Sequence, residues 1–312
     1  MKSEEVTKVV TPHILKRQGK TCAYERGYEM ANFFNQATLS YSGGTVNSNV
    51  TSGELIEVLS ATKTAVIGSY SQGSEVTYVI NLTNSGSAAI TGLIITDDLG
   101  AYENDTVTLR PLDYIADSVN YFINGVPQAA PTVDASDSLV ISGLTIPANG
   151  VATVIYAARA NSFAPPLDDG TIVNTAVING GGITEITVSE TVNAETEPRL
   201  NISKAICPAT VTENGQITYT FVIQNTGNSA ADAADNVVIT DTFDPRLSNI
   251  IVTYNGTVWA SPANYTYDET TGVFTTTAGS ITVPAATYTQ DPDTGSWVVD
   301  PGTVTITVTG TI

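Results

Sequence analysis

The chain is short of basic charge, sulfur-containing residues and histidine. Its 312 residues include 12 Lys and Arg, 2 Cys, 2 Met and 1 His, against 31 Asp and Glu, for a net charge of −19. A negatively charged molecule repels phosphate groups, which excludes nucleic acid and anionic membrane surfaces as partners. The single histidine, His13, lies outside the part expected to fold, which excludes a Ser-His-Asp triad there.

Paired cysteines and long apolar runs are missing as well. Cys22 and Cys207 are far apart, and neither has a neighbour at metal-ligand spacing. We therefore expect no metal site, no cofactor and no disulfide framework. No segment approaches the roughly 18 to 20 consecutive apolar residues of a transmembrane helix, so we expect no membrane insertion. The chain is rich instead in Thr, Val, Ile, Gly and Asn, the composition of an all-β surface protein.

Residues 1–29 differ from the rest of the chain. They hold six of the 12 basic residues (Lys2, Lys8, Lys16, Arg17, Lys20 and Arg26). Codons for Arg26-Gly27 can supply a purine-rich ribosome-binding sequence just before Met30. We expect either that 1–29 is translated leader sequence and Met30 the true start, or that it is a basic disordered arm. It has no apolar stretch typical of a signal peptide, so we expect export without a classical one.

Two segments repeat each other. Lys63, Tyr78, Asn84 and Gly86 recur 141 residues later as Lys204, Tyr219, Asn225 and Gly227, and Ile-Thr-Asp97 recurs as Ile-Thr-Asp241. The intervening runs alternate with period two and end in Asn-x-Gly turns, a pattern typical of antiparallel strands. The repeats predict two tandem immunoglobulin-like Greek-key β-sandwiches, over 59–196 and 197–312.

The second repeat stops short of its last strands. The first continues through Ile172–Ile178, a glycine turn and a further strand, whereas the second ends at Ile312. A similar strand pair stands at the other end of the chain, in residues 30–58, where Asn35 takes the place of Asn174. We therefore expect 30–58 to supply donor strands that fill the vacancy in the second sandwich of another copy.

The motifs Thr-Tyr-x-x-x-x-x-Asn-x-Gly and Ile-Thr-Asp-x-Leu/Phe occur in both repeats. They resemble the signature of a bacterial surface and fibre repeat family catalogued as domain of unknown function number eleven, similar to clostridial spore appendage proteins. The resemblance covers residues 33–312. It implies an immunoglobulin-like sandwich, a structural or adhesive role without enzyme activity, and a place on the bacterial cell or spore surface.

Only two lysines follow Met30, Lys63 and Lys204, in equivalent first strands. In sandwich domains of Gram-positive surface fibres, such a lysine can condense with a last-strand Asn beside a buried acid. Burial lowers the pKa of the lysine and raises that of the acid, which gives a neutral nucleophile and a carboxyl group that polarises the amide. The candidate sets are Lys63, Asp97 and Asn174 within a chain, and Lys204, Asp241 and Asn35 between chains.

The alternative is that both lysines are ordinary edge residues paired with acids, and that the aspartates are turn residues. For the whole chain we predict a structural subunit of an extracellular fibre. It polymerises head to tail with copies of itself by donor-strand complementation, and isopeptide cross-links would strengthen the fibre. The alternative function is a monomeric surface adhesin or carbohydrate-binding module.

Overall fold

The structure, a computed structural model, describes residues 30–312. The predictions for 1–29, including His13 and Cys22, lie outside the described residues. From Met30 onward the regular structure is β-strand, apart from one turn of 3-10 helix at Ala233–Asp235. Within this range no helix is long and apolar enough to cross a bilayer. The prediction of an all-β fold with tandem sandwiches is confirmed.

Four short strands form a hairpin at the start of the described chain, called here the N-terminal hairpin. They are β1 (Met30–Asn35), β2 (Thr38–Tyr41), β3 (Gly44–Asn47) and β4 (Thr51–Ile56). β1 pairs with β4 and β2 with β3, both antiparallel. The register shifts by one residue between the two ladders, as at a β-bulge. Every side chain from Phe33 to Ser52 is exposed.

The first sandwich has fourteen strands in two main sheets. One sheet has the order β13-β12-β16-β7-β5, with β11 also on β16, and the other has the order β14-β15-β8-β17-β18-β6. Alternating apolar side chains of both sheets meet in one core. The strands are β5 (Leu59–Ala65), β6 (Ser69–Tyr70), β7 (Glu75–Asn84), β8 (Ile90–Asp97), β9 (Tyr102–Asn104), β10 (Val107–Leu109), β11 (Leu112–Tyr114), β12 (Asn120–Ile123), β13 (Val126–Pro127), β14 (Thr132–Asp134), β15 (Leu139–Ile146), β16 (Val151–Ala160), β17 (Thr171–Gly180) and β18 (Ile186–Ala194).

The second sandwich has fewer strands. A sheet of order β19-β20-β28-β22-β23 faces a sheet of order β21-β25-β24, and β26 and β27 form a separate hairpin. They have their own core. The strands are β19 (Leu200–Cys207), β20 (Gln216–Asn225), β21 (Thr240–Thr242), β22 (Ser248–Tyr254), β23 (Thr257–Val258), β24 (Tyr265–Asp268), β25 (Val273–Thr276), β26 (Thr287–Gln290), β27 (Trp297–Asp300) and β28 (Gly302–Thr311).

The two sandwiches share a pairing register. Lys63 lies opposite Ile80 on β7, and Lys204 lies opposite Phe221 on β20, so β19 and β20 take the places of β5 and β7. In the first sandwich β8 pairs with β15 on one side and β17 on the other. β21, which takes the place of β8, pairs with β25 alone among the strands of residues 200–312. Nothing in that range corresponds to β17 or β18.

The repeated asparagine of each turn holds the sandwich edge together. Asn84 is buried, and its Nδ2 donates to the carbonyl oxygens of Ala88 at 2.8 Å and Pro147 at 3.0 Å. Its Oδ1 accepts from the main-chain N–H of Gly86 at 2.9 Å. Asn225 makes the same three kinds of bond in the second sandwich. These residues recur because a side-chain amide satisfies backbone groups that the turn leaves unpaired.

The N-terminal hairpin and the second sandwich lie at opposite ends of the first sandwich. Val58, just after the hairpin, accepts a bond from Ser85 N at 2.8 Å, beyond the last residue of β7. At the other end of the same sheet, Ser162 accepts from Trp297 N of the second sandwich at 2.9 Å. The ten residues of β7 span the distance between these ends, roughly 33 Å.

Candidate functional site

Lys63 points into the core of the first sandwich. β5 pairs with β7, and its alternation places Leu59, Ala61, Lys63 and Ala65 on the inner face. Lys63 retains only 4% of its exposure, because β18 of the opposite sheet lies against β5. A lysine is rarely buried to this degree without a partner.

Its partner is Asp97, the last residue of β8, which is fully buried. Lys63 Nζ lies 2.6 Å from Asp97 Oδ2 and 5.0 Å from the ring centroid of Tyr78. Asp97 Oδ1 accepts a bond from the Leu99 N–H at 3.1 Å. The carboxylate is therefore held both by the lysine and by the turn that follows the strand.

Asn174 completes the cluster, through a tyrosine that the sequence reasoning missed. Tyr156 Oη donates to Asp97 Oδ2 at 2.6 Å and accepts from Asn174 Nδ2 at 3.0 Å. The structure thus brings Lys63, Asp97 and Asn174 together, with Tyr156 bridging the acid and the amide. A sequence signal existed: Tyr156 stands on the apolar side of an alternating run, and a buried tyrosine hydroxyl usually has a polar partner.

Two polar atoms of this cluster have no hydrogen-bond partner within residues 30–312. They are the amide oxygen of Asn174 and the hydroxyl of Tyr78, both buried. An unsatisfied buried polar group costs about 1–3 kcal/mol. The two unpaired atoms therefore reduce what this polar cluster contributes to the stability of the core.

Burial shifts the protonation equilibria of the cluster. Desolvation lowers the pKa of Lys63, although the charge of Asp97 and the hydrogen bond to it oppose the change. Desolvation also raises the pKa of Asp97, against the attraction of Lys63, and raises the pKa of Tyr156. All of these changes favour the neutral forms. A neutral amine is a nucleophile and a neutral carboxyl group is an acid, the two kinds of group that an amine–amide condensation requires.

The equivalent lysine–aspartate pair in the second sandwich is exposed to solvent. Lys204 Nζ bonds Asp241 Oδ2, and the two side chains are 39% and 19% exposed, against 0% for both Lys63 and Asp97. Lys204 Nζ also lies 4.5 Å from the ring centroid of Tyr219. Tyr219 pairs across the sheet with Val308, as Tyr78 pairs with Tyr156, so a valine occupies the place of the bridging tyrosine.

The whole inner face of β19 is uncovered. Leu200, Ile202, Lys204 and Ile206 lie opposite the core-facing residues of β20, yet all four are exposed. Their counterparts on β5 are buried or half-buried under β18. Asn35, the remaining candidate, lies in the N-terminal hairpin and has no contact with Lys204 or Asp241 within the described chain. One molecule therefore assembles the first candidate set and leaves the second incomplete.

Metal ligands are not grouped in the described part of the chain. Between residues 30 and 312, no three His, Cys, Asp or Glu side chains are close enough to hold a metal ion. Cys207 is a free, exposed thiol at the end of β19.

No family model and no curated protein matches this chain, so the resemblance to the repeat family stays a prediction. Among solved structures it is similar to the pilus backbone of Streptococcus pneumoniae, with 11% identity, 78% of this chain and 55% of that chain covered, and a TM-score of 0.32. The chain is also similar to the major pilin subunit of Bacillus cereus, with 12% identity, 87% of this chain and 73% of that chain covered, and a TM-score of 0.31. A third similar structure is the collagen-binding subdomain of an Enterococcus faecalis surface protein, with 10% identity, 45% of this chain and 97% of that chain covered, and a TM-score of 0.29.

Proposed function

We propose that this chain is a structural subunit of an extracellular fibre, in which residues 30–58 of one copy complete the second sandwich of the next. The observation that carries the proposal is the uncovered inner face of β19. A sandwich that leaves a strip of core and a strand edge open invites pairing with another chain. We place the fibre on the bacterial cell or spore surface, following the resemblance of the repeat motifs.

The shape of the open face differs from that of the closed one. On β5 the two inner positions beside Lys63 are Ala61 and Ala65, whereas on β19 the same positions beside Lys204 are Ile202 and Ile206. The covering strand of the second sandwich must therefore be slimmer than β18 if both cores are to pack at the usual density.

Strand β4 of the N-terminal hairpin carries smaller residues than β18 at two corresponding positions. Glu190 and Val192 of β18 lie opposite Asn174 and Ile172 of β17. The corresponding residues of the hairpin are Thr51 and Gly53, opposite Asn35 and Phe33. Larger residues on β19 are thus matched by smaller residues on β4. This matching supports the hairpin as the occupant of the open face.

The placement of the two ends favours an open chain over self-closure. The hairpin leaves one end of the first sandwich and the open face belongs to a sandwich at the other end, so one subunit cannot easily reach its own vacancy. Each contact then joins two different surfaces. A heterologous contact that does not close on itself repeats into a filament.

The proposal includes two amide bonds. In the first sandwich Lys63 Nζ attacks Asn174 Cγ, a C–N bond forms, and the side-chain nitrogen of Asn174 leaves as ammonia. After docking, Asn35 of one copy would meet Lys204 and Asp241 of its neighbour and undergo the same exchange. An amide between β5 and β17 constrains the unfolded chain as a disulfide does, by about 2–4 kcal/mol.

Electron microscopy of two shortened chains tests the fibre. A chain that begins at Met30 should form filaments, whereas a chain that begins at Leu59 should remain monomeric. A far-ultraviolet circular dichroism spectrum typical of β-sheet checks that the shorter chain is folded. Filaments from the chain that begins at Leu59 would contradict the proposal, and so would stable monomers of the chain that begins at Met30, which would favour the adhesin alternative.

Gel electrophoresis after boiling in SDS tests the bond between subunits. Wild-type fibres should give a ladder of covalent oligomers. Asn35→Ala should still assemble but fall to monomers in hot SDS, whereas Asn49→Ala, an exposed amide of the same hairpin, should keep the ladder. A ladder that survives Asn35→Ala would show that the cross-link uses another residue.

A further inference from the structure

The hydroxyl of Tyr156 occupies the one position that links the acid to the leaving group. It lies 2.6 Å from Asp97 Oδ2 and 3.0 Å from Asn174 Nδ2. Asp97 itself bonds Lys63, Tyr156 and the Leu99 N–H, and makes no hydrogen bond to Asn174 within the described chain. A proton held on Asp97 therefore needs an intermediary to reach the amide nitrogen.

We propose that Tyr156 is a catalytic residue of the Lys63–Asn174 condensation and delivers the proton that turns the departing nitrogen into ammonia. The inference rests on the amide proposed above. It assigns a direct role to a residue that touches the leaving atom, and it places Asp97 one step further back than a direct contact with the Asn174 carbonyl would.

The reaction balances with these groups alone. A proton first passes from the Lys63 ammonium to the Asp97 carboxylate, which leaves a neutral amine. The amine nitrogen attacks Asn174 Cγ and gives a tetrahedral adduct. Tyr156 then donates its proton to Nδ2 and regains one from Asp97, while Asp97 recovers the proton that the attacking nitrogen loses. The Cγ–Nδ2 bond breaks and ammonia leaves, and Tyr156 ends as it began. Asp97 holds one proton at this point, and it returns to the carboxylate when the departing ammonia takes that proton and leaves as ammonium.

The second sandwich lacks this intermediary. Val308 stands in the place of Tyr156, so the condensation of Lys204 with Asn35 lacks a hydroxyl at the position from which Tyr156 assists the leaving group. The bond within a subunit should therefore form soon after folding, and the bond between subunits more slowly. This order would let subunits exchange and align before the fibre becomes covalent.

Mass spectrometry of freshly translated full-length chain tests the inference. Wild type should lose one ammonia soon after synthesis, and Tyr156→Phe should lose it about 10²- to 10⁴-fold more slowly, the usual contribution of general acid catalysis. Tyr70→Phe is the matched control, because the Tyr70 hydroxyl is also buried in this core and donates to the Pro165 carbonyl at 2.7 Å. It should react at the wild-type rate.

Two further readouts separate catalysis from folding. Hydrogen exchange of β7 and β16 should show the same protection in both variants, and the residual rate of Tyr156→Phe should keep the pH dependence that Asp97 imposes through its direct contact with Lys63. Equal rates in wild type and Tyr156→Phe, or equal slowing in both variants, would overturn the role of Tyr156. A wild-type chain that keeps its full calculated mass would instead overturn the amide itself.

Discussion

The two sandwiches place the same side chains in the same register and surround them differently. In the first, Lys63 and Asp97 are sealed under β18. In the second, Lys204 and Asp241 form an ion pair that water reaches. An exposed ion pair is screened and contributes little, whereas burial pushes a pair toward its neutral forms. The comparison teaches that coverage of the first strand by the last two strands decides whether the lysine and its aspartate are buried or hydrated.

The proposed assembly makes this difference useful. In a free subunit Lys204 is hydrated, so it would stay charged and would not act as a nucleophile. When residues 30–58 of a neighbour cover β19, the pair would enter the environment that Lys63 already has. Docking and activation would then be one event, and the cross-link would form only where two subunits are correctly joined.

The largest expected effect on fibre stability comes from shortening the apolar side chains on the uncovered inner face of β19. Ile202→Ala with Ile206→Ala should leave the free subunit almost as stable as before, because both side chains are exposed in it. The same double change should weaken the fibre by about 2–5 kcal/mol per residue, the cost of a buried Ile→Ala substitution. Urea depolymerisation of fibres carrying Asn35→Ala, which removes the proposed covalent bond, measures this loss.

Ile251→Ala is the matched control for that experiment. Ile251 is 52% exposed on β22, opposite Thr309 of β28, whose side chain is on the outer side of the sheet. Its removal should not change depolymerisation. If Ile251→Ala and the double variant weaken fibres equally, the inner face of β19 is not the docking surface.

The next effect compares the lysines directly in a chain that begins at Leu59 and carries Asn174→Ala, so that Lys63 stays a free amine. Lys63→Met leaves Asp97 buried without its partner and should destabilise the first sandwich by about 3–5 kcal/mol. Lys204→Met removes one member of an exposed pair and should cost the second sandwich about 0–1 kcal/mol. Hydrogen exchange, read separately for peptides of each sandwich, gives both values. Equal losses would mean that the two sites are equally buried in the free subunit.

A smaller effect is expected from pH. Asn174→Ala cannot form the amide, so its Lys63 keeps a titrating amine whose pKa burial lowers from 10.5. Between the lowered pKa and 10.5 the unfolded chain binds more protons than the native one, so the free energy of unfolding should rise with pH across that interval. Wild type with the amide formed should lack this rise. A rise of equal size in both chains would mean that Lys63 is free in wild type.

Much of this arrangement could be predicted from the sequence, because strand alternation and turn residues are local signals. The repeated Lys, Asp and Asn positions came from spacing alone. The proposed boundaries at 59, 197 and 312 and the donor role of 30–58 stay predictions. Tyr156 was missed because a tyrosine on an apolar face is an ordinary core residue until its neighbours are known.

The contacts between the sandwiches were also beyond the sequence. The hairpin of β26 and β27 reaches the first sandwich, where Trp297 N donates to the Ser162 carbonyl oxygen and Gln290 Nε2 donates to Tyr102 Oη at 3.0 Å. These partners are 135 or more residues apart along the chain. Only the folded geometry shows that they meet, and that the open face and the hairpin of residues 30–56 lie at opposite ends.

The most direct test of the account is a cross-link between Asn35 and Lys204. In a chain with Cys22→Ser and Cys207→Ser, the changes Asn35→Cys and Lys204→Cys place one thiol on each of the two strands that the proposed contact brings face to face. A bismaleimide whose spacer matches the roughly 10 Å between packed sheets should link them into a ladder of oligomers that survives boiling in SDS. Asn35→Cys with Lys63→Cys should give none, because the first sandwich is closed. Monomers alone from the first pair, or equal ladders from both, would contradict the account.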